Sequence, residues 1–318
     1  MTEPTKETAG PSGRPLGRYR LEARIGRGGM CEVYRATAVA GPWAGRIVAI
    51  KRLLAEMATN PQAIDRFLTE ADVSILLHHP NIVEVLEAGE MAGGYFIAME
   101  HIDGRDLAAI MERCQAKGIH LPVDFALYVV STLLLALEYA HEACSPGGDP
   151  LGIVHCDVTP GNVFVSRNGE IKLGDFGIAR VRSVEPHTDG IWGKPYYLPP
   201  EAFEGMSPTP ATDLWAAAVI LYGLLTNRRP FAGQTIEEVG RAVRETDPPS
   251  PHQLRSEVPE ELSQVVMSAL SRDPDRRYAT AGWFRAALAR FMDERIATQM
   301  AIASVVRGLF GSDSNIGR

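Results

Sequence analysis

The chain changes character once, and that change limits its fold more than any other feature. Before His101-Ile102-Asp103-Gly104 it reads as strands, and after it mostly as helices. YRLEARIG (19–26) and CEVYRATAVA (31–40) flank a glycine cluster, as a hairpin would. RIVAIKRL (46–53) is a third strand, rich in β-branched residues, and NIVEVLEAGE (81–90) and GYFIAME (94–100) are two more. One helix interrupts them. Asn60 suits its cap, Pro61 its first position, and Ile64, Phe67, Leu68, Ala71 and Ile75 recur at helical spacing. Beyond residue 104, helical patterns cover 106–116, 122–143, 212–226, 235–245, 260–270 and 280–306. A loop at 145–152 and short strands in GIVHC, NVFVS and EIKLGDFG break them. Strands first and helices afterwards is an α+β order, not the alternation of a doubly wound sheet. The expected architecture has two lobes, for which 318 residues suffice. Residues 1–18 form a tail, 19–102 a small β-rich lobe with one helix, and 103–292 a larger, mainly helical lobe. Residues 293–318 give an amphipathic helix and an end segment.

Several function classes drop out. A net charge of −7 argues against nucleic acid as partner. The four cysteines, Cys31, Cys114, Cys144 and Cys156, form no CxxC pair, which disfavours a metal site or disulfide framework and fits a reducing cytoplasm. The first residues, MTEPTKETAGPSGRPLG, lack the apolar centre of a signal peptide. No apolar run is expected to span a bilayer, the nearest being AAAVILYGLL at 216–225. Ile302, Val305, Val306 and Leu309 recur at i, i+3, i+4 and i+7. That face either packs on the large lobe or serves self-association, and Arg307 alone is poor support for a membrane surface.

The glycine cluster, IGRGGMCEVY (25–34), lies between two strands, not between a strand and a helix. That setting disfavours a dinucleotide fold. Gly26, Gly28 and Gly29 either serve an ordinary hairpin or let backbone N–H groups approach triphosphate oxygens. Lys51, in VAIK, is either an edge residue or the partner of Glu70, a carboxylate on a buried helix edge. An unpaired buried charge is expensive, which favours the pair. In IVHCDVTPGNVFV (153–165), Asp157 is a candidate base and Asn162, five residues on, a candidate metal ligand. Asp175 follows at a strand end in KLGDFG, thirteen residues after Asn162. Two oxygen donors beside a triphosphate are how Mg²⁺ is held, phosphate and water supplying the rest.

In these ordered motifs the sequence resembles the eukaryotic-type protein kinases, most of all bacterial Ser/Thr kinases, over about residues 19–292. Further matches are HPNIV (79–83), MEHIDG (99–104), PPE (199–201), DLW (213–215) and Arg277. The resemblance implies a two-lobed kinase fold using ATP with Mg²⁺, Mn²⁺ being an alternative, and acting on protein substrates. It implies that Lys51 holds the α/β-phosphates, oriented by Glu70, and that Asp157 takes the substrate hydroxyl proton. Asn162 and Asp175 would bind metal. Met99 would lie beside the adenine, Glu100 and Ile102 would offer it backbone groups, and Asp106 would sit near the ribose. Val33, Ala49 and Phe164 would sandwich the base. A Glu201–Arg277 ion pair would brace the substrate-docking segment, which small-molecule phosphotransferases lack, and Asp213 would brace the catalytic loop.

Three departures stand against that pattern. Cys31 takes the place of the third glycine, and Cys156 that of the Arg which grips an activation-loop phosphate. Cys has no fork for phosphate, so Ser183 or Thr188, if phosphorylated, should not switch activity by that route. Thr159 and Lys194 stand where the family usually has Lys and Thr. Either the two types are exchanged, with Lys194 reaching the phosphate and Thr159 bonding Asp157, or Lys194 is solvated and the site weaker. Keeping Lys51, Glu70, Asp157, Asn162 and Asp175 together favours an active enzyme over a pseudokinase scaffold.

Overall fold

The computed structural model describes residues 15–91, 94–176, 193–293 and 298–311. They divide into two units. The first holds the described residues up to Leu76 together with Glu84–Asp103, the second Leu77–Val83 and the described residues from Gly104 on. The small lobe therefore ends one residue beyond the expected boundary and gives up 77–83. The reason is a staple. Val83 N–H donates to the Leu173 carbonyl (2.8 Å), Leu173 N–H to the Asn81 carbonyl (2.8 Å), and Asn81 Nδ2 to the Ile171 carbonyl (2.9 Å).

The first unit holds an antiparallel sheet of strands β1 (Pro15–Leu16), β2 (Tyr19–Arg27), β3 (Cys31–Ala38), β4 (Ile47–Leu53), β5 (Val85–Met91) and β6 (Gly94–Glu100), in the order β1-β2-β3-β4-β6-β5. One face buries Tyr19, Leu21, Tyr34, Ile50 and Phe96. The other holds Cys31, Leu53 and Ile97 against Phe67 and Ala71 of helix α1 (Pro61–Leu76). Asn60 caps α1 as expected, accepting from Gln62 N–H at 3.0 Å. The buried stripe of α1 keeps the expected Glu70 edge and departs from expectation at Leu68 and Ile75. It runs through Ala63, Phe67, Glu70, Ala71 and Ser74, while Leu68 is 37% and Ile75 38% exposed. A 3.6-residue period permits either edge of the stripe to face inward. The edge carrying Glu70 faces inward here because its carboxylate meets Lys51.

The second unit has a small sheet, β7 (Gly104–Asp106), β8 (Val163–Ser166) and β9 (Ile171–Leu173), and the helices α2 (Leu107–Lys117), α3 (Val123–His141), α4 (Pro200–Phe203), α5 (Pro210–Thr226), α6 (Ile236–Glu245), α7 (Pro251–Leu254), α8 (Glu260–Ala269), α9 (Ala281–Ala289) and α10 (Gln299–Phe310). GIVHC forms no strand beyond an isolated bridge. Helix α5 is buried from Thr212 to Thr226 and packs on α3. Among the described residues α3, not 216–225, is the helix apolar and long enough to cross a membrane. Over half of it is buried between α5 and α9, which accounts for its composition. The helix expected over 280–306 is two, because α9 stops at Ala289. Helix α10 lies on α2, burying Ile302, Val306, Leu309 and Phe310. The apolar face that self-association would use is thus covered within the chain. Arg113 and Lys117 donate to the Leu309 carbonyl at 3.3 and 3.4 Å, two cations at the helix's negative end.

Candidate active site

In the first unit the strand register assembles one face. Gly26 lies opposite Val33, Val33 opposite Lys51, Lys51 opposite Ile97, and Ala49 opposite Met99. Directly paired residues share a face of the sheet, so Val33, Ala49, Lys51 and Met99 stand together on the α1 side. Lys51 Nζ is 2.6 Å from Glu70 Oε1, and the two residues are 9% and 7% exposed. Each offsets the other's desolvation, and the ammonium is held at a fixed point on the sheet. Gly28 N–H closes a turn on the Cys31 carbonyl at 2.8 Å. Gly26, Gly28 and Gly29 have no positive φ, and a Cβ on any of them would meet nothing closer than 3.6 Å. The turn itself does not demand glycine at these positions. With no side chain at these positions a large anion can approach the backbone closely, which is the fit a triphosphate needs. Cys31 faces inward with Leu53 and Phe67, a space-filling residue. Glu100 N–H donates to the Glu84 carbonyl at 2.9 Å and Glu84 N–H donates to the Glu100 carboxylate at 2.8 Å, which fixes the strand end that leads to Ile102.

In the second unit the 155–162 loop is held from beneath by α5. Asp213, 1% exposed, accepts from His155 N–H (2.8 Å), Cys156 N–H (2.9 Å) and the His141 ring (2.8 Å). Cys156 has φ +67°, a left-handed conformation that costs a non-glycine residue energy and persists where surroundings over-determine it. His155 Nδ1 accepts from Asp157 N–H at 3.2 Å, so its proton sits on Nε2 and points at the Gly174 carbonyl, 3.1 Å away. Asn162 Nδ2 donates to the Asp157 carbonyl and to its Oδ2, both at 2.9 Å. That orientation leaves the amide oxygen as a ligand donor. Asp157 Oδ1 is buried and has no hydrogen-bond partner among the described residues. Burial pushes the Asp157 carboxyl up, with Lys194, His155 and the Asn162 bond opposing and Asp175 adding to the rise.

Asp175 follows Gly174, where a Cβ would come within 2.9 Å of Val83 and 3.1 Å of Phe164. Its φ of +66° turns it out of strand β9. An amide oxygen and an exposed carboxylate in one unit suit Mg²⁺, which takes few protein ligands. Phe164 is paired with Asp106 across β7 and β8. Asp106 also caps α2, accepting from Ala109 N–H at 2.8 Å. Lys194 and Thr159 meet: Nζ lies 3.0 Å from Oγ1. The expected bond from Thr159 to Asp157 is replaced by this one. Arg277 makes a two-pronged bond to Glu201 at 2.6 and 2.8 Å and lies 4.8 Å over the Trp215 ring. Ser183 and Thr188 lie outside the described residues.

The protein kinase domain family matches residues 19–288. The chain belongs to the protein kinase family. MasK of Myxococcus xanthus, named a tyrosine-protein kinase, is 33% identical over 304 residues, 94% of this chain and 47% of MasK. PrkC of Bacillus subtilis, named a serine/threonine-protein kinase, is 34% identical over 270 residues, 84% of this chain and 39% of PrkC. PknA of Mycobacterium tuberculosis, also named a serine/threonine-protein kinase, is 33% identical over 281 residues, 86% of this chain and 61% of PknA. The chain thus spans about half the length of these relatives. Among solved structures, the Mycobacterium tuberculosis PknI kinase domain matches 89% of this chain and 99% of its own, with 28% identity and a TM-score of 0.65.

Three residues of this kinase-family site escaped the sequence reading. His141 looked like one more helix residue, and nothing local marked it as a partner of Asp213. His155 was visible beside Asp157, but its link to Gly174 needs the fold. Gly193 has φ +79°, and a Cβ there would sit 2.9 Å from the Cys156 carbonyl. A glycine immediately before Lys194 was the available signal.

Proposed function

We propose that this chain transfers the γ-phosphoryl group of ATP to Ser and Thr hydroxyls of proteins, itself among them, in the cytoplasm. The observation that carries this reading is the open Oδ1 of Asp157. A buried carboxylate oxygen without a partner calls for an explanation, and a substrate hydroxyl is the group it would accept. In the step, the hydroxyl oxygen bonds to the γ-phosphorus and its proton passes to Asp157. The bond to the β–γ bridging oxygen breaks, and ADP leaves with that electron pair. Lys51, steadied by Glu70, holds the α/β-phosphates, and the bare backbone at Gly26, Gly28 and Gly29 covers the phosphates. Val33, Ala49, Met99 and Phe164 hold the adenine, Glu100 and Ile102 offer it backbone groups, and Asp106 takes the ribose. Asn162 and Asp175 hold Mg²⁺ or Mn²⁺, which would neutralise phosphate charge. With Cys156 in place of an Arg, transfer does not depend on an activation-loop phosphate, and Thr188→Ala should leave it unchanged.

A specific observation favours one second reading, tyrosine as acceptor: MasK, matched over most of this chain, is named a tyrosine kinase. The test is transfer of label from ATP·Mg²⁺ to the protein and to a generic acceptor, beside Asp157→Asn, followed by phosphoamino-acid analysis. Label on Ser and Thr that the variant loses supports the proposal, and label on Tyr supports the second reading. Nucleotide binding without transfer would make the chain a pseudokinase scaffold.

A further inference from the structure

If Asp157 is where transfer occurs, as proposed above, the loop around it is short of a cation. Position 159 carries a hydroxyl, and Thr159 is 1% exposed. The positive charge arrives from another segment. Lys194 Nζ rests on Thr159 Oγ1 at 3.0 Å and passes over Gly161, where a Cβ would come within 3.3 Å of it. Lys194, Thr159 and Asp157 line one small void of about 10 Å³ between the loop and the segment 193–198. Gly193 sets that segment on the loop. Its left-handed φ of +79° and its closeness to the Cys156 carbonyl exclude any side chain, and Lys194 follows directly. The far end of the segment is anchored away from the loop. Tyr196 donates to the Gly233 carbonyl at 2.9 Å, the Arg229 guanidinium lies 4.0 Å over the Tyr196 ring, and Leu198 is buried.

We infer that Lys194 is the cation that offsets charge on the transferring phosphoryl group, with Thr159 as its rest, so that transfer is armed by the seating of residues 193–198. Lys194 exchanges no proton. It faces charge moving from the hydroxyl oxygen through phosphorus to the departing ADP oxygen. A lysine rooted in the 155–162 loop would stay in place whatever the docking segment did. Lys194 is in place only while Gly193 lies on the Cys156 carbonyl, and residues 193–198 form the surface expected to receive a protein substrate. The chain thereby couples acceptor docking to charge neutralisation at a site where Cys156 provides no phosphate grip.

The test compares wild type with Lys194→Met, Thr159→Lys and the exchange Thr159→Lys/Lys194→Thr in steady-state transfer, with thermal melts on each. Removing one such charge partner is expected to lower kcat about 10²-fold, as loss of a single oxyanion donor does. KM for ATP should change less than about twofold, because Lys51 binds the ground state. The exchange should recover most of the lost rate, and ethylammonium should partly rescue Lys194→Ala, which a merely structural role would not allow. Lys194→Met with kcat within about threefold of wild type overturns the inference. So does a folded exchange variant as slow as Lys194→Met. Should the exchange variant fail to melt cooperatively, the amine decides: no rescue of Lys194→Ala also overturns it. Wild type without any transfer would fell the proposed function itself, a result distinct from an active wild type indifferent to Lys194.

Discussion

At the scale of single residues, Asp157 carries the sharpest expectations. A base must be ionised, and burial, chiefly, holds this carboxyl above the ordinary value. The acid limb of kcat/KM should therefore lie above the usual carboxylate range, activity falling as pH drops through it. Lys194 opposes that rise. Its removal in Lys194→Met should move the limb to higher pH, which a pH–rate profile reads directly. Gly193→Ala should disturb the same place from the backbone. The new methyl meets the Cys156 carbonyl and a φ of +79° disfavours it, so loss of rate should accompany a lower melting temperature.

At the scale of elements, the loop's shape belongs to α5. Asp213→Ala removes one acceptor from the His155 and Cys156 N–H groups and from His141. Two buried N–H groups left unpaired cost about 1–3 kcal/mol each, so urea unfolding should show a loss of roughly 2–6 kcal/mol. Arg277→Ala strands the Glu201 carboxylate and should cost about 3–5 kcal/mol by the same measurement. Both effects trace to residues that the sequence marked. Lys51 with Glu70 and Glu201 with Arg277 were legible as pairs because each is a charge whose partner is a complementary type at a fixed motif position. Asp157, Asn162, Thr159 and Lys194 were legible one by one, but the bonds from Asn162 to Asp157 and from Lys194 to Thr159 needed the fold. The Glu70 edge of α1 was legible, but the exposure of Leu68 and Ile75 was not, since they are as apolar as the residues that are buried. The break after α9 was missed because apolar periodicity resumes in α10 without a glycine or proline between. The membrane-length apolar run of α3 was overlooked because Asp124 and Glu138 lie within the stretch.

At the scale of the whole molecule, nucleotide should bind the native state and not the unfolded chain. ATP at about 100 times its Kd should add about 2.7 kcal/mol of stability, read as a rise in melting temperature. The extra rise given by Mg²⁺ should vanish in Asn162→Ala/Asp175→Ala, while nucleotide alone still stabilises. The same molecule separates the course of its loop from the side chains the loop carries. Asp213 grips peptide N–H groups at 155 and 156, and no side chain there takes part in that grip. The loop's course at 156 is thus held through the backbone, and the Cys156 side chain is not what holds it to α5. Whatever grips or fails to grip a phosphate at 156, the peptide bonds that Asp213 holds are common to both cases.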